Sequence, residues 1–304
     1  MRKSVKYIII IVILFAVFYF KDDIVETFIE PAKQNTVKKV NVPKNNEYKI
    51  FNGQYSYVQD TDKFIPAEKQ DIMNIIYTVL NSGWESFTFY CPKEYDTCID
   101  DVTSITNNNE ILSNINNFVH PYNSFKTIET NYTTSGEVTL IVHKLYTKEM
   151  IEVLNLKVNE VYDNNINENM SDREKVKVIH DYIINNSQYD SEKISGITKD
   201  NSNNAYGVLI DGYGICSGYT DSMALFLNKM KIPNIKVSSE KHIWNLVYID
   251  GKWLNLDLTF DDPVTDTGEN ILSDDYFLID KNTMLDIDKT NQHNFNEKVF
   301  VEAK

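Results

Sequence analysis

A glycine-rich turn that leads into a helix carrying one cysteine is the feature that most constrains this 304-residue chain. Gly212 and Gly214 stand just ahead of Cys216 and permit a tight, irregular backbone. After the cysteine, apolar residues recur every three or four positions until Pro233 marks the stop: Ile215, Tyr219, Met223, Phe226, Leu227 and Met230. Cys216 is therefore predicted in the first helical turn, where unpaired N–H groups and the helix dipole stabilise a thiolate. The same N–H groups could receive a developing oxyanion.

A histidine and an aspartate downstream supply the base, and the group that orients it, which a thiolate nucleophile requires. His242 begins the strand-like run His-Ile-Trp-Asn-Leu-Val-Tyr-Ile, and Asp257 lies in Lys-Trp-Leu-Asn-Leu-Asp-Leu-Thr. Between the two runs, Asp250 and Gly251 are typical of a type I′ hairpin turn. Counting from that turn, position 242 pairs with about 259 and position 257 with about 244. We therefore predict that Asp257 is a diagonal neighbour of His242, within reach of its ring.

Three motifs in this order resemble the transglutaminase-like superfamily across residues 171–263. They are Gly-x-Cys-x-Gly-Tyr at 214–219, His-x-Trp-Asn at 242–245 and Asp-x-Thr-x-Asp-Asp-Pro at 257–263. The preceding helix, with His-Asp-Tyr at 180–182 and then Tyr-Asp at 189–190, is also similar to the family. The resemblance implies that Cys216 is the nucleophile, His242 the base and Asp257 the orienting group. It further implies an α+β fold of the papain-like or transglutaminase-core type, in which the cysteine helix packs on an antiparallel sheet.

Two aromatic residues are candidates for the rest of the site. Tyr206, ten residues before Cys216, either donates its hydroxyl to the oxyanion, as an upstream side chain often does in the family, or has a packing role. Trp244 shares a strand face with His242 and either walls the site or fills the core. His180 is expected to be a packed or partly exposed helix residue. The remaining histidines are expected at the surface, with no role in the chemistry: His120, His143 and His293.

Residues 1–23 carry basic residues followed by an apolar run from Tyr7 to Phe20 and then by Lys21-Asp22-Asp23. This run is shorter than the roughly 17–25 residues of a membrane-spanning helix, and no small-residue cleavage pattern follows it. We expect an uncleaved signal-anchor, with the N-terminus inside and the rest of the chain outside the cell membrane. The alternatives are a cleaved signal, which would make the protein secreted, and a buried hydrophobic helix.

Charge and cysteine usage narrow the range of partners. The net charge of −14 argues against a nucleic-acid surface. In an oxidising compartment Cys91 and Cys98 either pair or remain two reduced buried thiols, which leaves Cys216 as the odd, reactive cysteine. No second Cys/His pair lies at ligand spacing, so we expect no metal site, and the chemistry requires no cofactor.

The chain divides into four predicted segments. A capping box, Ser171-Asp-Arg-Glu174, begins the first core helix of the last segment. The segments are a signal-anchor at 1–23, a juxtamembrane linker at 24–46, a small α/β or α+β module at 47–146 and a transglutaminase-like domain at 147–304 with its core at 171–263.

The three candidate residues imply acyl transfer through a thioester. If water releases the acyl group, the protein is a cysteine peptidase or amidase. If a lysine amine releases it from a glutamine donor, the protein is a cross-linking transglutaminase. A third alternative is a non-catalytic cell-surface interaction protein with a relic triad, although all three positions are intact. We expect hydrolysis of a peptide or amide bond in a protein or peptide substrate, with wall-linked proteins, wall peptides and exported proteins as the candidate classes.

Overall fold

The computed structural model describes residues 40–51, 54–191, 199–263 and 272–304. The signal-anchor predicted at 1–23 and most of the linker predicted at 24–46 lie outside these ranges. Within them, no helix combines the length and the apolar character needed to cross a membrane. The chain divides between Asn41 and Val42 into two compact units, and the fold below is that of Val42–Lys304.

The first half of this unit is a three-stranded antiparallel sheet with three helices. Its elements are α1 (Lys69–Asn81), β1 (Ser86–Tyr90), α2 (Cys98–Thr106), α3 (Asn109–Asn116), β2 (Phe125–Tyr132) and β3 (Glu137–Lys144). The strand order is β1-β3-β2, so the β2–β3 hairpin predicted from its turn residues is present. Helix and strand together confirm the α+β prediction for this region.

Two local predictions in this half are wrong. The run Pro66-Ala-Glu is typical of a helix start, yet the helix begins at Lys69, because the Asp71 carboxylate accepts the backbone N–H groups of Ala67 and Glu68 and so caps the helix there. From Tyr48 to Val58 aromatic residues alternate with polar ones, which predicts a short strand, but no strand is present in the described residues of that segment. Instead, the backbone N–H and C=O of Ile50 bond with the side-chain amide of Asn81 on α1, so the segment is held by a helix rather than by a strand.

The second half carries two long helices, a cysteine helix and a second antiparallel sheet. Its elements are α4 (Lys148–Asn165), α5 (Asp172–Asn186), β4 (Gln188–Tyr189), β5 (Tyr213–Gly214), α6 (Cys216–Lys229), β6 (Asn234–Ser238), β7 (Ile243–Ile249), β8 (Lys252–Leu256) and α7 (Lys281–Ile287). The predicted capping box of Ser171 and Glu174 begins α5. The sheet order is β6-β7-β8, and α6 packs against β6 and β7. A cysteine helix on an antiparallel sheet is therefore confirmed.

The hairpin between β7 and β8 has the turn and the register that the sequence predicted. Asp250 and Gly251 both have positive φ, 55° and 77°, as a type I′ turn requires. The pairing runs from Ile249 opposite Lys252 to Asn245 opposite Leu256. One step further, the same register places Asp257 opposite Trp244, so that Asp257 is a diagonal neighbour of His242.

The backbone before the cysteine is as irregular as the glycines indicate. A single π-helical turn, Gly207–Asp211, ends at Gly212, whose φ of 78° is left-handed. The chain then enters β5, which pairs in parallel with β4. A Cβ at Gly207 would lie 2.3 Å from the carbonyl oxygen of Asn201, so the loop can close over this turn only with glycine at that position.

Residues on both sides of the predicted boundary at 146/147 share one apolar core and one buried ion pair. Tyr122 and Tyr146 pack in the same cluster as residues of α4, α5, α6 and the second sheet. The Lys236 ammonium lies 2.9 Å from Asp221 Oδ1. The Tyr146 hydroxyl donates to Asp221 Oδ2 at 2.6 Å and accepts from the Ala205 N–H at 2.8 Å. The ion pair joins β6 to the cysteine helix, and the Tyr146 hydroxyl connects the segment just after β3 to it.

Two of the three cysteines form a disulfide, and the third is free. Cys91, just after β1, and Cys98, the first residue of α2, form a disulfide that closes a seven-residue separation. Cys216 is free and partly exposed.

Candidate active site

Cys216 is the first residue of α6, so the predicted start of the cysteine helix is confirmed. The preceding residue, Ile215, is extended, and its N–H donates to the carbonyl oxygen of Ser202 at 2.8 Å. A Cβ at Gly218, in the first turn, would lie 2.8 Å from the same carbonyl oxygen. The loop around Ser202 therefore packs directly against the first turn of the helix and fixes the backbone that carries the thiol.

His242 and Asp257 lie one residue outside the paired ends of β7 and β8, and their side chains meet there. His242 Nε2 and Asp257 Oδ2 are 2.5 Å apart, and both side chains are buried. This contact is the one that the hairpin register predicted. Because Nε2 is engaged by the carboxylate, Nδ1 is the ring nitrogen that remains available to the Cys216 thiol.

The electrostatics of this pair favour charge separation. Burial by itself would lower the pKa of His242, but the charge of Asp257, the hydrogen bond to it and the interaction with Cys216 raise that pKa to about 10. Burial opposes ionisation of Asp257, while the charge and hydrogen bonds of His242, and then of His293, hold the pKa of its carboxyl well below its usual range. At neutral pH the pair is therefore an imidazolium next to a carboxylate.

Asp257 is held at both of its oxygens. Oδ1 accepts the Thr259 backbone N–H at 2.9 Å and the Thr259 hydroxyl at 2.7 Å. Oδ2, besides meeting His242, lies 2.9 Å from His293 Nε2. The Asp-x-Thr part of the third motif thus has a local function, because the threonine fixes the carboxylate from the backbone side.

His293 is a residue that the sequence reasoning missed, since it was expected at the surface and is fully buried beside Asp257. No motif surrounds it, and it follows Asp257 by 36 positions. The surface expectation is also wrong for His120, which is buried; burial and then the charge of Lys236 lower its pKa to about 3. The surface expectation is correct for His143, whose half-exposed side chain bonds Glu129.

Aromatic rings enclose the buried side of His242. The Trp244 ring lies 5.8 Å from it and nearly parallel, and the Phe260 ring lies 5.0 Å away. Trp244 is only 1% exposed, and its indole N–H donates to Asn255 Oδ1 at 2.9 Å. Trp244 is therefore a buried residue that packs on His242, and its part in walling the site stays a prediction.

Tyr206 and Tyr189 are the two tyrosines that bear on stabilisation of the oxyanion. Tyr206, the candidate oxyanion donor, is half-buried, precedes the π-helical turn and packs against the apolar core; its hydroxyl's role stays a prediction. Tyr189, in β4, belongs to the Tyr-Asp pair at 189–190 that is similar to the family. Burial, and after it the charges of Cys216 and Asp257, raise the pKa of Tyr189 to about 12. Its phenol therefore keeps its proton near the nucleophile and can donate.

His180 lies in a second polar cluster that is separate from the cysteine. Its Nδ1 lies 2.8 Å from Asp181 and its Nε2 lies 3.1 Å from Asp261. The ammonium of Lys177 lies 2.6 Å from Asp181 and 3.0 Å from Asp274, so a cation from the chain itself already occupies the acidic face. His180 is thus the packed helix residue that was expected.

Potential metal ligands come together at two places in the described ranges. The first set is His242, Asp257 and His293, whose nitrogen and oxygen atoms are engaged in hydrogen bonds with one another. The second is the His180 cluster, which holds the Lys177 ammonium. Both sets are therefore assigned as hydrogen-bonded and ion-paired networks.

Comparisons with known proteins connect this geometry with a family. Residues 160–258 match the family model of the transglutaminase-like superfamily, and this range contains all three candidate residues. No curated protein matches the chain. Similar solved structures include a crystal structure of a TGase, at 17% identity and a TM-score of 0.32, covering 44% of this chain and 44% of that one. A candidate cysteine protease from Cytophaga hutchinsonii shows 17% identity and a TM-score of 0.28, covering 48% of this chain and 65% of that one.

A third similar structure is a candidate protease from Parabacteroides distasonis, at 13% identity and a TM-score of 0.23, covering 48% of this chain and 40% of that one. The chain spans less than two thirds of the length of each of these three structures.

Proposed function

We propose that this chain, whose residues 160–258 are a transglutaminase-like domain, is a thiol enzyme that transfers acyl groups through Cys216, with His242 as base and Asp257 as orienting group. The observation that carries the proposal is the buried His242 ring, which is bonded at Nε2 to the Asp257 carboxylate and whose pKa is raised by that carboxylate and by Cys216, the free cysteine. A cysteine at a helix start, beside an imidazolium, is the arrangement that activates a thiolate.

The proposed reaction has two steps, acylation of Cys216 and hydrolysis of the thioester. The Cys216 sulfur attacks the carbonyl carbon of a peptide or amide, a C–S bond forms, and the C–N bond breaks as His242 gives its proton to the leaving amine. Water then attacks the thioester, His242 takes a proton from it, the C–S bond breaks, and the carboxylic acid leaves while the Cys216 thiolate and the His242 imidazolium are restored. Asp257 remains ionised throughout and holds the imidazole. The N–H groups at the helix N-terminus are the candidate donors for the oxyanion, with the hydroxyl of Tyr189 or of Tyr206 as a further candidate.

We propose that the reaction is hydrolysis of a peptide or amide bond. The substrate is a protein or peptide, and the candidate classes are wall-linked proteins, wall peptides and exported proteins. Cys216 is partly exposed, whereas the base and its orienting carboxylate are buried. Water can therefore reach a thioester on this sulfur, and transfer to a lysine amine would require that water be kept away. Cross-linking is the competing outcome that the experiments below distinguish.

The Cys–His pair is tested by alkylation of the full chain with iodoacetamide between pH 5 and pH 10, with peptide mass spectrometry to quantify Cys216. We expect rapid labelling of wild type at pH 6 and its loss in His242→Ala. His143→Ala, which removes a half-exposed histidine from the first sheet, is the matched control and keeps the wild-type profile. Identical profiles for wild type and His242→Ala would remove the basis of the proposal and favour a relic site in a surface-binding protein.

The acyl acceptor is tested with p-nitrophenyl acetate, an activated acyl donor that does not depend on knowing the substrate. We expect wild type to acetylate Cys216 and to release p-nitrophenol in the steady state at a rate that added cadaverine does not change, with acetate as the acyl product. Cys216→Ala abolishes turnover and is the control for background esterolysis. Release that rises and saturates with cadaverine, with formation of the acetylated amine, would identify a transamidase instead.

We also propose that residues 1–23 anchor the enzyme in the cell membrane with the rest of the chain outside. The support is the basic start followed by the apolar run from Tyr7 to Phe20. Protease treatment of intact cells should degrade the membrane-bound chain. A shortened chain in the medium would indicate cleavage and secretion.

A further inference from the structure

His293 reaches the site from a part of the chain that lies beyond the family match. Its Nε2 lies 2.9 Å from Asp257 Oδ2, the same oxygen that meets His242 Nε2. All three side chains are buried, and that of His293 is fully so. Because an ionised carboxylate can only accept, both histidines donate to this oxygen.

The turn that carries His293 is itself fixed from the opposite side. The His293 backbone N–H donates to Asp288 Oδ2 at 2.9 Å, whereas the ring atom Nδ1 lies 3.0 Å from the same oxygen without forming a hydrogen bond to it. Asp288 in turn accepts the backbone N–H and the hydroxyl of Thr290 at 2.8 and 2.6 Å. The segment from 288 to 293 thus forms a turn built around one carboxylate, and this turn aims the histidine at Asp257.

Rings on several sides hold the imidazole in its plane. Tyr276 stacks on it at 5.1 Å, while Trp244 and Phe260 meet it edge-on at 4.9 and 4.5 Å. A shape-matched aromatic residue at 293 would keep this packing and lose only the donor. The chemistry of His293 can therefore be separated from its volume.

We propose that His293 is a positioning residue for the thiol enzyme described above: its Nε2–H fixes Asp257 Oδ2 toward His242, with Asp288 holding the backbone of the turn that carries His293. The inference rests on the proposed function, because it assigns His293 to the same Cys–His–Asp arrangement. Thr259 binds Oδ1 and His293 binds Oδ2, so the carboxylate is fixed against rotation about its own bond. Without the second donor, Asp257 can rotate, and His242 loses its fixed partner.

The test compares His293→Phe with His293→Gln and His293→Asn by the pH profile of Cys216 alkylation in the full chain. The amide nitrogen of glutamine occupies roughly the place of Nε2 and can donate to Asp257, whereas that of asparagine corresponds to Nδ1 and falls short. At pH 6 we expect labelling to fall about tenfold or more in His293→Phe and His293→Asn, as befits loss of a hydrogen bond to a charged group. Labelling of His293→Gln should stay near the wild-type level. The labelling rates of all variants should converge at high pH, where a thiol ionises without a neighbouring imidazolium.

Controls separate this inference from folding and from the proposed function. His120→Phe makes the same substitution at another buried histidine and should leave the profile unchanged, and thermal unfolding shows which variants are folded. If His293→Phe does not fold, the glutamine–asparagine pair still decides. A wild-type profile in folded His293→Phe or His293→Asn, while His242→Ala remains impaired, would overturn the positioning role alone. Profiles unchanged in His242→Ala as well would overturn the proposed function itself.

Discussion

Replacing Lys236 by methionine should destabilise the protein strongly, because it leaves the buried Asp221 carboxylate without its cation. Both side chains are about 95% buried, and the ammonium and the carboxylate oxygen are 2.9 Å apart. With an effective dielectric constant of about 20, two charges at that distance attract by about 6 kcal/mol before desolvation is subtracted. Removing one partner of a buried pair typically costs about 3–5 kcal/mol. We expect a loss in that range, since Tyr146 alone still donates to Asp221.

Urea unfolding followed by intrinsic fluorescence measures this loss. With a urea dependence of about 3 kcal/mol per molar, the midpoint should fall by about 1–2 M. The double variant Lys236→Met with Asp221→Asn is the matched control. It removes both charges and keeps an acceptor for the Tyr146 hydroxyl, so it should recover most of the stability. A loss below about 1 kcal/mol in the single variant, or an equally unstable double variant, would refute the assignment of this pair as a buried, desolvated contact.

Three other features of the fold give further predictions. Because the pKa of His242 is about 10 in the folded chain and ordinarily 6.5, its stabilisation is fully present below pH 6.5 and is lost by pH 10. The difference in unfolding free energy between wild type and His242→Gln should therefore shrink from pH 6 to pH 10, and a constant difference would contradict this. Gly207→Ala places a Cβ 2.3 Å from a carbonyl oxygen and should cost about 1–3 kcal/mol, whereas Gly251→Asn meets open space and should have little effect, as thermal melts would show. Replacing Cys91 and Cys98 by serine should lower stability by about 2.5 kcal/mol without changing thiol labelling of the site; unchanged urea unfolding would argue against the disulfide.

The sequence predicted the contact between His242 and Asp257 because local rules determine it. A two-residue turn with positive φ at Asp250 and Gly251 sets the register of the hairpin, and the register alone brings His242 beside Asp257. The start of the cysteine helix at Cys216 followed from glycines and apolar spacing in the same local way. Where short-range turn chemistry organises a fold, the residue pattern is enough to derive which side chains meet.

What the sequence did not predict depends on contacts between distant segments. His293 reaches Asp257 through a turn built by Asp288, and no periodicity or motif relates a histidine to a carboxylate 36 positions earlier. Residues around Ile50 alternate like a strand, yet the side chain of Asn81 takes up their backbone groups. In both cases a side chain from elsewhere decided the outcome, and propensity carries no information about such partners.

The first half of the unit also protects the edge of the second sheet. In the order β6-β7-β8, the outer side of β6 is not paired with another strand of that sheet, but the Lys236 N–H donates to the carbonyl oxygen of Asn117, and the Asn117 amide donates to Ser238 Oγ. A chain cut at residue 147 would expose this edge as a template for association between copies. Over evolutionary time, the module could therefore be lost only in a lineage that had already acquired another cover for β6.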